Sequence, residues 1–125
     1  MTEEKPSTRE LVEAVTEFME TRVIPEVGRR TGFHTRVAVN VLKTVARELQ
    51  LGPELAIGEK ERLSAILGLD GSLRVLNTEL CRRIREKGLD PQDPRLISHL
   101  HQTVMGRLSI DNPRYSAYLK ALETG

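Results

Sequence analysis

The sequence predicts an all-α fold, a compact bundle of five to six helices with short Gly/Pro connectors. Segments with apolar residues at three- and four-residue spacing recur along the 125-residue chain. Gly and Pro residues separate these segments, and no β-hairpin signal lies between them. Because this length suits one domain, we expect a single helical domain over residues 7–122, preceded by a disordered segment over residues 1–6.

The first helix is expected to begin next to Ser7. Ser7 and Glu10 have the spacing of a capping box, in which each side chain accepts a hydrogen bond from a free backbone N–H of the first turn. Glutamates line one side of the helix, and Pro25 and Gly28 end or bend it. Its apolar side comprises Leu11, Val12, Val15, Phe18, Met19 and Val23.

The middle of the chain predicts two helices separated by a stop signal. One covers residues 33–51 and ends at Gly52-Pro53, and the next covers residues 53–67 and ends at Gly68. The apolar side of the first of these two helices comprises Ala38, Val41, Leu42, Val45 and Leu49.

The last third of the chain predicts three more helices. One covers residues 73–87, after an Asp70-Gly71-Ser72 turn, and Gly88 closes it. Asp93-Pro94 begins a helix over residues 94–108, and Asn112-Pro113 repeats this start signal for a short last helix. Their apolar positions are, in order, Leu73, Leu76, Leu80 and Ile84; Ile97, Leu100, Val104 and Leu108; and Tyr115, Tyr118, Leu119 and Leu122.

Charge and composition exclude several classes of protein. The net charge of +1 does not favour nucleic-acid binding, which relies on neutralising phosphates. The single cysteine, Cys81, excludes an intrachain disulfide and a cysteine-based zinc site. A secretory signal is missing, and no apolar run approaches the roughly 20 residues of a membrane helix. We therefore expect a cytoplasmic protein that binds neither nucleic acid nor membrane.

Local catalytic signatures are also missing. The chain has no Gly-rich phosphate loop, no dinucleotide fingerprint and no His-Glu-x-x-His pair. His99 and His101 are two residues apart, so on a helix they point roughly 160° away from each other and cannot chelate one metal. We predict no catalytic residue, no cofactor and no metal. Whether the chain is an enzyme stays open, with a non-enzymatic role favoured.

Five polar side chains fall on or beside the apolar sides of the predicted helices. One interpretation is a polar pocket for a small molecule, in which a neutral imidazole and an arginine bind an anionic ligand or the imidazole serves as a general base. The other, which base rates favour, is that they make structural hydrogen bonds. The five residues are Arg22, His34, Asn77, His101 and Arg107.

The most basic local patch is the run Arg82-Arg83-Ile84-Arg85, together with Lys87 and Arg74. Late in a helix, these cations complement the negative end of the helix dipole. Contact with nucleic acid is the alternative interpretation. The glutamates of the first helix form a solvated face or, alternatively, a docking surface for a basic partner.

Four segments carry a family resemblance: residues 33–42, 48–53, 77–81 and 110–115. From about Ser7 to Tyr118 the chain resembles a bacterial family classed only as a domain of unknown function. The family has no assigned catalytic residues. The positions that carry the resemblance are His34, Arg36, Asn40, Asn77, Asp111, Asn112, Arg114 and Tyr115.

The resemblance implies a companion role. Members of that family occur as a separate small protein, or as a tail, beside aminoglycoside-phosphotransferase-like kinases and acyl-CoA dehydrogenases. It therefore implies an accessory or interaction domain that docks onto such a partner or, alternatively, a bundle whose internal polar pocket binds an acyl-CoA-like ligand. Oligomeric state stays open, although the broad apolar arc of the first helix is suited to pairing across a two-fold axis as a homodimer.

Overall fold

The computed structural model describes residues 5–124, and over that range the chain is all-α with no strand, which confirms the predicted fold class. Its α-helices there are α1 (Thr8–Phe18), α2 (Arg29–Leu67), α3 (Leu73–Arg85), α4 (Pro94–Asp111) and α5 (Ser116–Thr124). The chain divides into two compact units, Met1–Gly52 and Pro53–Gly125, which we call the first and second units.

The division into two units does not test the predicted domain boundaries. A single domain over residues 7–122 stays a prediction. The disordered segment predicted over residues 1–6 lies, up to residue 4, outside the described residues.

The first unit is a helical hairpin. Its predicted capping box is confirmed, because the Ser7 N–H donates to Glu10 Oε1 (2.7 Å) and the Glu10 N–H donates to Ser7 Oγ (3.1 Å). A π-helical turn, Met19–Val23, and a 3-10 turn, Ile24–Glu26, follow α1 and lead to α2. Pro25 interrupts the π-helical turn, because it has no N–H to continue the ladder in which the Ile24 N–H donates to the Met19 carbonyl.

Small side chains line the seam between α1 and the first part of α2. The buried residues there are Thr16, Gly32, Thr35, Val39 and Ala46. Glu20 pairs with Lys43 at 2.9 Å beside the seam, as expected for two antiparallel helices joined by a short turn.

The predicted helix stop at Gly52-Pro53 is wrong, because α2 continues through both residues. Pro53 has no N–H to donate to the carbonyl of Leu49, which costs about 3 kcal/mol in a helix interior. Packing on both sides of the proline offsets this cost. Ala46 is buried in the first unit, and Leu63 and Leu67 are buried in the second.

The second unit has a leucine core. Its cluster joins Leu63 and Leu67 of α2, Leu76 and Leu80 of α3, and Leu96 of α4. The apolar positions predicted for α3 are therefore confirmed. Two predicted starts are confirmed as well, since the side chain of Ser72 caps α3 and that of Asp93 caps α4, with Pro94 in its first turn.

The predicted start of the last helix at Asn112-Pro113 is wrong. The Asn112 N–H donates to the Leu108 carbonyl (2.9 Å), so Asn112 completes the last turn of α4. The Tyr115 N–H then donates to the Asn112 carbonyl (3.1 Å), which forms a turn before α5 begins at Ser116. The Asn-Pro pair thus serves the end of one helix rather than the start of the next.

Helix α3 ends in a motif that normally uses glycine. The Gly88 N–H donates to the Arg83 carbonyl (2.8 Å) and the Lys87 N–H donates to the Ile84 carbonyl (3.3 Å), the two bonds of a Schellman motif. Lys87 has a φ of 61°, in the left-handed region that a residue with a Cβ disfavours. The glycine predicted to close this helix, Gly88, is thus one residue beyond the left-handed position.

Replacing Lys87 with Gly is expected to raise the free energy of unfolding by about 0.5–1 kcal/mol, because glycine adopts this conformation without steric cost. Urea denaturation followed by circular dichroism measures the change. The matched control is Lys120→Gly, inside α5, where glycine is expected to destabilise by about 1 kcal/mol. A loss of stability in Lys87→Gly would contradict the assignment.

Candidate functional site

Only part of the apolar side of α1 is buried against α2. Thr16 on this helix is buried, and Val12 and the following Met19, in the π-helical turn, are half-buried, all on the seam side. Leu11, Val15 and Phe18, which the sequence places in the same apolar arc, are more than half exposed. The arc therefore has a covered half and an open half.

The first part of α2 repeats this division. The buried positions Thr35, Val39 and Ala46 face the seam, whereas the predicted core positions Val41, Val45 and Leu49 are exposed. These residues belong to an exposed row at four-residue spacing, which turns by about 40° around the helix at each step. The exposed row comprises Phe33, Val37, Val41, Val45 and Leu49.

The α1 row and the end of the α2 row lie on the same side of the hairpin. The row on α1 is about 100° around its helix from the seam, and Val45 and Leu49 on α2 are offset by roughly 70–110° in the same rotational sense, whereas Val37 lies almost opposite the seam. Because the helices are antiparallel, equal senses of rotation bring these side chains to one side. We call this surface the hairpin face, made of Leu11, Val15, Phe18, Val45 and Leu49.

The opposite side of the hairpin is polar. A shallow groove of about 280 Å³ runs between the helices there. Its lining includes Glu13 and Glu17 from α1, Glu20 from the π-helical turn, and Lys43 and Arg47 from α2. The glutamates predicted to form a solvated face thus lie beside basic residues of the same unit.

Helix α4 buries a different side from the one predicted. The predicted core positions Ile97, Leu100 and Val104 are 48%, 45% and 56% exposed, so this prediction is wrong for the described chain. Leu96 and His99 are buried instead. The small residue Gly106 explains the choice, because it lets α4 approach Leu55 of α2 so closely that an added Cβ would lie 3.0 Å from a Leu55 methyl. We call the exposed row of Ile97, Leu100 and Val104 the α4 ridge.

A partly buried polar network joins α2 to α4 within the second unit. Arg62 donates from Nε to His99 Nδ1 (3.0 Å) and from Nη2 to Thr103 Oγ1 (3.1 Å). His99 is only 2% exposed. Desolvation, followed by the neighbouring Arg62 charge, lowers the pKa of His99 below its ordinary value, while Glu59 acts in the opposite direction. His99 is therefore a neutral acceptor at pH 7, with its proton on Nε2.

Two candidate pocket residues lie in the first unit and three in the second. Arg22 and His34 are exposed, and the His34 ring makes an edge contact with Phe33 at 5.5 Å between centroids. Asn77 is half-buried and donates to Glu59 Oε2 (3.3 Å). His101 is exposed.

Arg107 is also exposed and forms a bidentate pair with Asp111, with two hydrogen bonds of 2.8 Å. Asn77 and Arg107 thus have separate partners. That the five residues form one pocket stays a prediction.

The other positions that carry the family resemblance lie mainly on the surface. Arg36, Asn40, Arg114 and Tyr115 are exposed, and Arg36 borders a shallow pocket at the turn before α2. Asp111 is the ion-pair partner of Arg107, and Asn112 caps the C-terminal end of α4. These last two positions therefore have structural roles in the helix end.

Sequence reasoning missed His99 and Arg62. The signal that could have found them is the composition of one side of α4, where Leu96, His99, Thr103 and Gly106 follow each other at three- and four-residue spacing. Two of these four residues are small or hydroxylated, which is typical of a closely packed helix contact. Apolar content alone predicts burial of the opposite side of α4, which carries Ile97, Leu100 and Val104.

The basic run on α3 is paired within its own helix. Arg82 and Arg83 both donate to Glu79, at 2.6–2.9 Å, and Arg82 also pairs with Glu86 at 2.7 Å. Hydrogen bonds from Arg82 and Arg83 lower the pKa of Glu79 to about 2. Neighbouring carboxylates thus offset part of the positive charge that phosphate binding would require.

The described part of the chain shows neither a metal-binding cluster nor a membrane-spanning helix. Residues 5–124 contain no group of three His, Cys, Asp or Glu side chains placed to hold a metal ion. Within that range, none of the helices combines the length and apolar character needed to cross a membrane.

A family model described as a domain of unknown function, DUF6285, matches residues 25–115, which is more than half of the chain. The chain belongs to the DUF6285 family. No curated protein and no solved structure matches this chain. The DUF6285 match includes all of α2, α3 and α4 and leaves α1 outside. It therefore contains the α4 ridge and the Arg62–His99 network.

Proposed function

We propose that this DUF6285 chain is an accessory interaction domain that associates with a kinase-like protein or an acyl-CoA dehydrogenase. The observation that supports it best is the α4 ridge, where three large apolar side chains are about half exposed on the helix that buries a histidine on its other side. The two classes of partner come from the family resemblance of the sequence.

The ridge has the features of the centre of a protein–protein contact. Apolar side chains at its centre, Ile97, Leu100 and Val104, gain about 25 cal/mol for each Å² removed from water. Charged residues border them, since the Arg107–Asp111 pair lies beside the row on the same helix. An apolar centre with a polar rim is the usual arrangement of such contacts.

Val104→Asp is expected to weaken binding to the cognate partner at least tenfold, because it buries a carboxylate at the centre of the contact. The measurement is co-purification of the full chain with the kinase-like and acyl-CoA dehydrogenase proteins encoded nearest to it, followed by titration calorimetry. The matched control is Val75→Asp on α3, since Val75 and Val104 are 54% and 56% exposed.

The control variant is expected to bind like the unmodified chain. Failure of both classes of partner to bind, or equal losses in the two variants, would contradict the proposal.

A further inference from the structure

We infer that a pocket at the turn of the first unit binds a small organic anion, an apolar group that carries a phosphate or a carboxylate. The pocket, which we call the turn pocket, lies between the 3-10 turn and the first two turns of α2 and has a volume of about 270 Å³. The inference goes beyond the proposed function, because it concerns a small molecule and the first unit rather than a protein partner and the α4 ridge.

Two glycines create the turn pocket. Gly28 and Gly32 both line it. A Cβ added at Gly28 would meet no atom within 4 Å, and one added at Gly32 would meet only a methyl group of Val27, at 3.8 Å. The missing side chains therefore leave open space between the turn and the helix. Its volume is just below the range of about 300–1,000 Å³ that is usual for ligand sites, so the ligand is expected to be small.

One part of the lining is apolar. Ile24 and Val27 are half-buried, and the Phe33 ring is 63% exposed. An apolar group placed against these side chains leaves water, and an aromatic group also gains contact with the Phe33 ring. This part of the pocket thus favours a ligand that is more than a bare inorganic ion.

The rest of the lining carries two arginines without acidic partners. Arg29 and Arg36 are seven residues apart on α2, about 10.5 Å along its axis, and they lie on the same side of the helix as Gly32. Both arginines are exposed. Over residues 5–124, neither guanidinium forms an ion pair, and no acidic side chain lines the pocket. Guanidinium groups bind phosphate and carboxylate through paired hydrogen bonds, so both arginines are available to an anion.

The absence of acidic partners distinguishes the turn end of the hairpin from the rest of it. Elsewhere in the first unit Arg9 pairs with Glu13 at 3.2 Å, and Lys43 pairs with Glu20 at 2.9 Å. Residues 22–36 contain four arginines and one glutamate, although the whole chain has a net charge of +1. Positive charge is therefore concentrated around the turn pocket, which raises the local concentration of anions there.

NMR titration of the full, isotope-labelled chain tests the inference. The probes are phenyl phosphate, benzoate and inorganic phosphate. At least one of the two organic anions is expected to shift the amide signals of residues 24–36 and to bind about fivefold or more tightly than inorganic phosphate, because only an organic anion contacts the apolar lining. The tighter of the two identifies the preferred acidic group.

Two substitutions separate the charged and apolar contributions. Arg36→Gln is expected to weaken binding of the organic anion about fivefold, since it removes charge-assisted hydrogen bonds at an exposed site. Its matched control is Arg85→Gln, at an exposed arginine of α3. Phe33→Ala is expected to weaken binding about threefold through loss of the ring contact. Its control is Phe18→Ala on the hairpin face, where the ring is 58% exposed.

Both control variants are expected to bind like the unmodified chain, and unchanged circular dichroism checks that all four variants fold. Three outcomes would overturn the inference: no shift at residues 24–36 with either organic anion, inorganic phosphate that binds as tightly as both of them, or equal losses in a variant and its control. These measurements contain no other protein, so their failure is distinguishable from failure of the proposed partner association.

Discussion

Leu63→Ala is expected to lower the free energy of unfolding of the second unit by about 3–5 kcal/mol. Leu63 is 0% exposed and belongs to the cluster that joins α2, α3 and α4. Truncation removes the transfer free energy of its methyl groups and leaves a cavity among the surrounding leucines. Urea denaturation followed by circular dichroism measures the loss.

Leu122→Ala is the matched control for this substitution. It removes the same atoms from a side chain that is 54% exposed on α5, so we expect a change of less than about 0.5 kcal/mol. Similar effects of the two substitutions would show that Leu63 is not part of the main core.

Acidification is expected to destabilise the second unit through His99. Protonating Nδ1 converts the acceptor of the Arg62 hydrogen bond into a donor and places two cations side by side in a buried site. The pKa of His99 is lowered in the folded state, so below the ordinary value the unfolded chain binds more protons. The stabilisation from neutral His99 is therefore present above about pH 6.5 and is lost as the pH falls through the lower, folded-state pKa.

The expected slope is up to about 1.4 kcal/mol of unfolding free energy per pH unit between these two pKa values. Urea denaturation at pH 7.5 and pH 5.5 measures it. His99→Asn places an amide oxygen near the position of Nδ1 and removes the titration, so it is expected to abolish most of this pH dependence. It also lowers stability at both pH values, because the smaller side chain packs less well.

His101→Asn is the matched control, two residues away and exposed, and is expected to keep the pH dependence of the unmodified chain. Glu59 opposes the shift, and Arg62 and Thr103 are the other polar partners of this network. Equal stability of the unmodified chain at the two pH values would contradict a buried neutral His99.

Helix positions could be predicted from the sequence mainly where the signal is local. The predicted helix starts after Ser7, Ser72 and Asp93 are confirmed, because a capping side chain accepts a hydrogen bond from a backbone N–H within three residues of itself. Gly52-Pro53 gave the wrong result because its cost of a few kcal/mol is also local, whereas the burial that offsets it involves distant residues.

The buried sides of the helices were harder to predict for a different reason. On α3 the apolar side and the buried side coincide at Leu76 and Leu80. On α4 they do not, because Gly106 and Thr103 allow the less apolar side to approach α2. Periodicity identifies which residues share a side, but the partner that covers this side decides whether it is buried. Which side of α4 forms the exposed ridge therefore depends on contacts that the sequence of that helix alone does not show.

The seam of the hairpin fixes the distance between its two helices more strictly than their relative position along the helix axis. The hydroxyls of Thr16 and Thr35 donate to carbonyls of their own helices, Val12 (2.8 Å) and Thr31 (2.7 Å), so neither needs a polar atom from the facing helix. The exposed pair of Glu20 and Lys43 sets the register from outside the seam. A displacement of one turn, about 5.4 Å, therefore leaves both hydroxyl hydrogen bonds intact and brings acidic residues opposite other basic ones.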